Sequence, residues 1–162
     1  MVELRVSFTQ GAFSSPICSP QELFEYFDMP AELKSYIDSH FGDKKSWLVT
    51  KEVVYKNTTY MSKENQAVLY HPSREMVSFE IGKNLAFVTS KEKKREPESF
   101  VVVRKMAKCF LPELGVYKCQ ETDEFTHIKI KALAHYHPLY IVSLPRMKSS
   151  YVSLIYEPFL AN

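Results

Sequence analysis

Glycine is scarce in this chain, with four residues in 162, at positions 11, 42, 82 and 115. That spacing allows neither a phosphate-cradling G-x-x-x-x-G-K-[ST] loop nor a G-x-G-x-x-G dinucleotide turn, and a G-x-S-x-G nucleophile elbow is absent as well. Cysteine is equally sparse. Cys18, Cys109 and Cys119 are odd in number and form no C-x-x-C pair, which argues against a zinc site or a disulfide framework and for free thiols in a reducing compartment. No run approaches the roughly 20 apolar residues that cross a bilayer. "MVELRVSFTQ" has none of the parts of a signal peptide, so a soluble protein is expected. A one-sign charge excess is also missing, since 21 Lys and Arg against 19 Asp and Glu leave +2, too little for a field over the whole domain that would gather nucleic acid.

What the chain does have is aromatic rings. They make up 14% of it, as 11 Phe, 10 Tyr and a single Trp, within otherwise ordinary globular usage of 45% hydrophobic and 25% charged residues. The length suits one domain over 1–162, large enough to bury a core without metals or disulfides, and no cofactor is expected. Aromatics must therefore fill the core and supply any site.

The order of patterns reads as α+β, mainly antiparallel sheet packed against one central helix, with two short N-terminal helices. "VELRVSF" alternates as a strand, and Ser19, Pro20 and Glu22 form a capping box that starts a helix ended by Pro30. A second helix is expected from about Pro30 to Phe41, closed by Gly42 as a left-handed residue. From Trp47 to Val88 the chain reads as a meander, with turns at "KN" (56–57), "HPSR" (71–74) and "GKN" (82–84). The polar stretch "TSKEKKREPES" is a loop. After it, "ESFVVVRKMAKCF" spaces Phe100, Val103, Ala107 and Phe110 by three and four, as on one helix face. The three valines leave a strand alternative, but Met106, Ala107, Lys108 and the length of the segment favour the central helix. The tail reads as two or three more strands.

Chemistry-bearing patterns are few. "HYH" puts His135 and His137 on one side of a strand, and with His127 they make a candidate metal set, although neutral strand histidines are the commoner use of such residues. Carboxylates are scattered without an acid and base pair, so catalysis is not indicated. Lys91, Lys93, Lys94 and Arg95 can touch RNA phosphates, or can form a solvated loop with Glu92 and Glu96 among them. Trp47, Tyr55, Tyr60, Tyr70, Phe79, Phe110 and Tyr136 are the rings on which a base can stack, if they are not core.

Three stretches taken together carry a resemblance. "TTYMSKENQAVLYHPSREMVSFEIGKN", the charged loop and "ESFVVVRKMAKCFLPE", over about residues 46–113, are similar to the cap-binding domain of the second basic polymerase subunit of the orthomyxoviruses, on the thogotovirus branch. The resemblance implies a non-catalytic module excised from a larger subunit of a heterotrimeric viral RNA polymerase. It implies a part in priming transcription with capped RNA in the host nucleus, with the other subunits as partners, no membrane, and a monomeric isolated domain.

In that family a methylated guanine lies between a helix-end aromatic and a strand aromatic, with a carboxylate on its edge and a lysine beside it. On this chain the helix-end ring falls on Phe110, the strand ring on Val53 or Val54, the carboxylate near Asn57 and the lysine on His71. Trp47, Glu52 and Tyr55 are the residues that a shift of register would bring in. Only Phe110 matches, so weak or absent binding of a methylated cap is expected. The rival reading is a structural or protein-interaction domain of the polymerase with no nucleotide ligand.

Overall fold

The computed structural model of the chain describes residues 6–9, 12–13, 29–42, 47–63, 65–72, 78–91, 98–134, 137–143, 146 and 149–154. The expected first helix with its capping box, along with Lys93, Lys94, Arg95 and His135, lies outside them.

The segment read as the central helix is a strand, β8 (Ser99–Leu111), of 13 residues. The reason lies in its valines. Val101, Val102 and Val103 are all fully buried, which on a helix would bury three different faces but on a strand requires only that both faces be covered. β8 pairs with β7 (Glu80–Ser90) from Ser99 to Met106 on one side and with β9 (Val116–Lys129) from Phe100 to Leu111 on the other. Both neighbours are nearly as long, so ladder bonds and two-sided burial outweigh the helix preference of Met106, Ala107 and Lys108.

The expected turn at 82–84 is also absent. β7 runs straight through Gly82 and yields only a bulge between Asn84 and Ala86. Gly82 is there for space rather than for a turn: a Cβ would sit 2.5 Å from Val103 Cγ2 and 3.2 Å from Tyr70 Cε1. The "KN" turn stands as expected, with Lys56 and Asn57 at φ 47° and 62°, the double left-handed step of a type I′ hairpin between β4 (Glu52–Tyr55) and β5 (Thr58–Met61).

Around this long ribbon the other strands close a ring. β6 (Gln66–Tyr70) pairs with β7, β7 with β8, β8 with β9, β9 with β11 (Ser150–Val152), β11 with β10 (Leu139–Ser143), and β10 with β6, all antiparallel. Each strand of the ring thus has a neighbour on both sides, a closed barrel. Its interior is filled by Ala67, Ile81, Met106, Cys119, Leu139, Ile141 and Val152, contributed by all six strands.

Beyond the barrel the ribbon continues, and two layers cover it. α1 (Ala31–His40) lies on the face that continues the barrel interior, with Leu33 and Ile37 buried and Phe41 against Phe100 and Trp47. α1 matches the expected second helix. However, it ends on a Phe41 N–H bond to the Ile37 carbonyl, with no left-handed glycine at 42. The opposite face takes a small sheet ordered β2 (Ala12–Phe13), β1 (Val6–Thr9), β4, β5, in which β1 and β4 run parallel. Gln66 Oε1 accepts from Met61 N–H at 3.0 Å, and Asn84 Nδ2 donates to the Met61 carbonyl at 3.4 Å, tying β5 to the outer face of β6 and β7. β3 (Trp47–Thr50) pairs with the far end of β7. The architecture is thus mostly antiparallel sheet with one described helix, which lies at the N-terminal side rather than in the centre.

Replacing Gly82 by Ala forces its methyl into Val103 in a packed interface. A loss of about 1–3 kcal/mol is expected, read as a lower urea midpoint at unchanged slope.

Candidate functional site

At 49% exposure Phe110 is not a core ring. It stands near the end of β8, just before the chain turns at Leu111–Gly115, where Gly115 takes φ +65° and its N–H bonds the Leu111 carbonyl at 2.9 Å. The hairpin register puts Tyr117 directly opposite, ring centroids 5.0 Å apart and tilted by 46°.

Strand alternation then decides what shares its face. Ile81 is opposite Met106 inside the barrel, so Lys108 and Phe110, two and four residues on, keep to the inner face as β8 leaves the barrel mouth. Tyr117 and Phe79 continue it from β9 and from the start of β7. Phe79 meets Tyr117 edge-on at 5.5 Å, and Lys108 Nζ lies 5.1 Å over the Phe79 ring and 3.5 Å from Glu80 Oε2. The barrel therefore ends in a lip of three rings, one cation and one carboxylate.

Below the lip the lumen is packed with apolar side chains. Burial pushes the Cys119 thiol up to about 11, against the opposing pull of the Lys108 charge, so this cysteine is an unreactive packing group at neutral pH.

The other sequence candidates are dispersed. His71 donates from Nδ1 to the Ser78 carbonyl at 2.8 Å, and the pairing of Tyr70 with Glu80 places it at the same barrel end as Phe79. Trp47 packs against Phe41 and Phe100, ten residues from Phe110 along β8, or roughly 30 Å of strand. Glu52, Tyr55 and Asn57 belong to the β4–β5 hairpin on the outer face; Glu52 is buried, and Lys56 reaches over the Tyr55 ring at 5.4 Å. Val53 is fully buried, so the strand position opposite the expected helix end is core. Lys91 opens the β7–β8 loop, at the end of β8 away from Phe110. One base cannot touch Phe110 together with Trp47, Tyr55 or that loop.

Lys108, Glu80 and Tyr117 were not legible as site residues, because a helical reading of 98–110 puts Lys108 and Phe110 on different faces. Read as a strand, the same residues alternate at 106, 108 and 110 and reveal it. Among the described residues no group of three His, Cys, Asp or Glu side chains is placed to hold a metal, and no helix is long and apolar enough to cross a membrane. Compared with known proteins, the chain matches no family model, no curated protein and no solved structure.

The lip makes a stability prediction that separates site from core. Phe110→Ala should cost about 1 kcal/mol or less in denaturant unfolding, whereas the fully buried Phe87→Ala should cost about 3–5 kcal/mol.

Proposed function

We propose that this chain is a non-catalytic RNA-handling module of a viral polymerase subunit, which stacks one exposed nucleobase on Phe110 at the mouth of its barrel. The observation that carries the reading is the half-exposed Phe110 ring beside Tyr117, Phe79 and Lys108. Base stacking on an aromatic ring contributes about 1–3 kcal/mol and tolerates any base, since every base has a π face. Lys108 supplies a cation for a phosphate, and Glu80 an acceptor for an N–H edge. On this reading the partners are capped or other single-stranded RNA and the remaining polymerase subunits, in the host nucleus.

The geometry supports a one-sided stack rather than a sandwich. A base held between two rings needs them about 7 Å apart, twice the ~3.5 Å contact distance of aromatic carbons. Phe110 and Tyr117 stand at 5.0 Å and are tilted, so they touch each other and leave only outer faces free. A methylated guanine then gains little of the two-sided cation–π attraction that distinguishes it from guanine.

Leu114, 69% exposed at the tip of the same hairpin, favours a second reading in which the tip is a protein contact within the polymerase. Calorimetry with guanosine and adenosine triphosphates, their methylated guanine counterpart and a short single-stranded RNA separates the two. Binding weaker than micromolar is expected, indifferent to methylation and lowered about 5- to 150-fold by Phe110→Ala, the equivalent of about 1–3 kcal/mol. Micromolar affinity restricted to the methylated nucleotide would require a sandwich and sink the one-sided stack. An inert panel, with wild type and variant alike, would transfer the site to the protein-contact reading.

A further inference from the structure

The end of the ribbon away from the lip holds a histidine that neither the stacking site nor the hairpin tip uses. His127 sits half-buried on β9 under α1, with its Nδ1 2.8 Å from the Tyr36 hydroxyl. Rings enclose it: Phe41 at 4.9 Å, Phe100 at 5.5 Å and His40 at 5.5 Å between centroids, with Tyr36 at 6.0 Å. His40 belongs to the last turn of α1, stacked on Tyr36 at 4.0 Å, with its Nδ1–H donating to the Tyr36 carbonyl at 2.9 Å. Tyr36 and His40 therefore both belong to the helix, while His127 belongs to the sheet.

We propose that the Tyr36–His127 contact is a pH-operated latch, in which protonation of His127 releases α1 from the ribbon while the barrel stays closed. In the docked state the neutral imidazole accepts from the Tyr36 O–H at Nδ1 and carries its own proton on Nε2. A second proton at Nδ1 removes that acceptor and places a cation among Tyr36, Phe41 and Phe100, facing the exposed His40. The charged groups around it do not offset this. Lys129, two residues along the same strand, is itself a cation, paired to Glu98 at 3.2 Å, and Arg104 lies over Phe125 at 4.8 Å. From α1 come Tyr36 and His40, and from β8 and β3 only the uncharged Phe100, Val102 and Trp47. No carboxylate is paired with His127 among these neighbours.

The sign follows from linkage. Burial first, and His40 second, hold the His127 pKa below its ordinary 6.5 in the docked state. A released His127 titrates at the ordinary value and so binds the proton more tightly than the docked one. Docking is fully favoured above pH 6.5 and weakens as pH falls through the window below it. The barrel shares none of these contacts, because its core is a separate cluster supplied by six strands.

Trp47 is the only tryptophan in the chain and packs on Phe41 at 5.2 Å, so its emission reports α1 docking directly. Emission, near-ultraviolet and far-ultraviolet circular dichroism are followed from pH 8 to 5. The expected wild-type result is a reversible one-proton change in emission and near-ultraviolet signal, centred below pH 6.5, with the strand signal constant. His127→Gln, which keeps an acceptor for Tyr36 but cannot charge, should abolish the change. Tyr36→Phe, which removes the bond that holds the neutral ring to α1, should move it to higher pH. A titration that survives His127→Gln, a flat wild-type profile, or loss of the strand signal in step with emission would each overturn the latch. Should His127→Gln fail to fold, the direction of the Tyr36→Phe shift decides alone, and a shift to lower pH or none refutes the proposal.

Discussion

Everything in this molecule is arranged around the need to bury both faces of one long ribbon. β7, β8 and β9 run for 11, 13 and 14 residues, longer than the five or six typical of a strand, and carry consecutive apolar side chains that no single covering layer could hide. Half of the ribbon solves the problem by rolling up with β6, β10 and β11, so that its inner face becomes a barrel core. The other half is sandwiched, with α1 on the continuation of the inner face and the β4–β5 layer on the outer one. The two solutions meet where the ladder is irregular, at the β7 bulge between Asn84 and Ala86 and at the β8–β9 register shift between Arg104 and Met106.

That junction carries the polar cost of changing from barrel to sandwich. Lys83 pairs with Glu121 at 2.8 Å, Arg104 donates to the Thr122 carbonyl at 3.2 Å, and Thr122 Oγ1 donates to the Lys105 carbonyl at 2.7 Å, so the extra β9 residues are held by side chains where ladder bonds are lost. The compensation is incomplete. The Tyr70 hydroxyl and Asn84 Oδ1 are buried without a protein partner, and groups so placed typically cost about 1–3 kcal/mol each. Burial also pushes the Tyr70 hydroxyl up to about 12, aided by the Glu80 and Glu124 charges, so it stays protonated across the working range. Gly82 fits the same strained packing, since its missing side chain is the space that Tyr70 and Val103 occupy.

Local chemistry was legible in the sequence where it acts locally. Lys56–Asn57 turned as its residue types require, and α1 began after Pro30 and stopped near Phe41 as its periodicity suggested. The misreadings share one cause. The residues 100, 103, 107 and 110 make a helix stripe, but 106, 108 and 110 also make a strand face, and a segment covered on both sides shows neither period cleanly. Only the length of its pairing partners decides between the two, and that is a property of the whole sheet. The same gap hid the site: Tyr117 becomes the neighbour of Phe110 only once the hairpin register at Leu111–Gly115 is fixed, and Glu80 approaches Lys108 only across a strand that the expected turn at Gly82 would have broken. Of the metal set built from His127, His135 and His137, His127 faces α1 with its Nδ1 on the Tyr36 hydroxyl, and His135 lies outside the described residues.

The change from helix to strand also alters what Phe110 can mean. On a helix end, its ring would be positioned by a rigid cylinder and could oppose a ring from another element across a gap wide enough for a base. On a hairpin, the opposite ring comes from the paired strand, and the ladder fixes backbones about 5 Å apart across each pair, too close for two facing side chains to admit a third flat group between them. Tyr117 therefore props the Phe110 ring instead of completing a clamp. On the proposed base-stacking reading, a lip built this way favours loose, sequence-tolerant contact with an unpaired base over tight selection of one modified nucleotide. Tight selection would need a second ring from outside the hairpin, and Phe79, edge-on to Tyr117 at 5.5 Å, is occupied in bracing the prop.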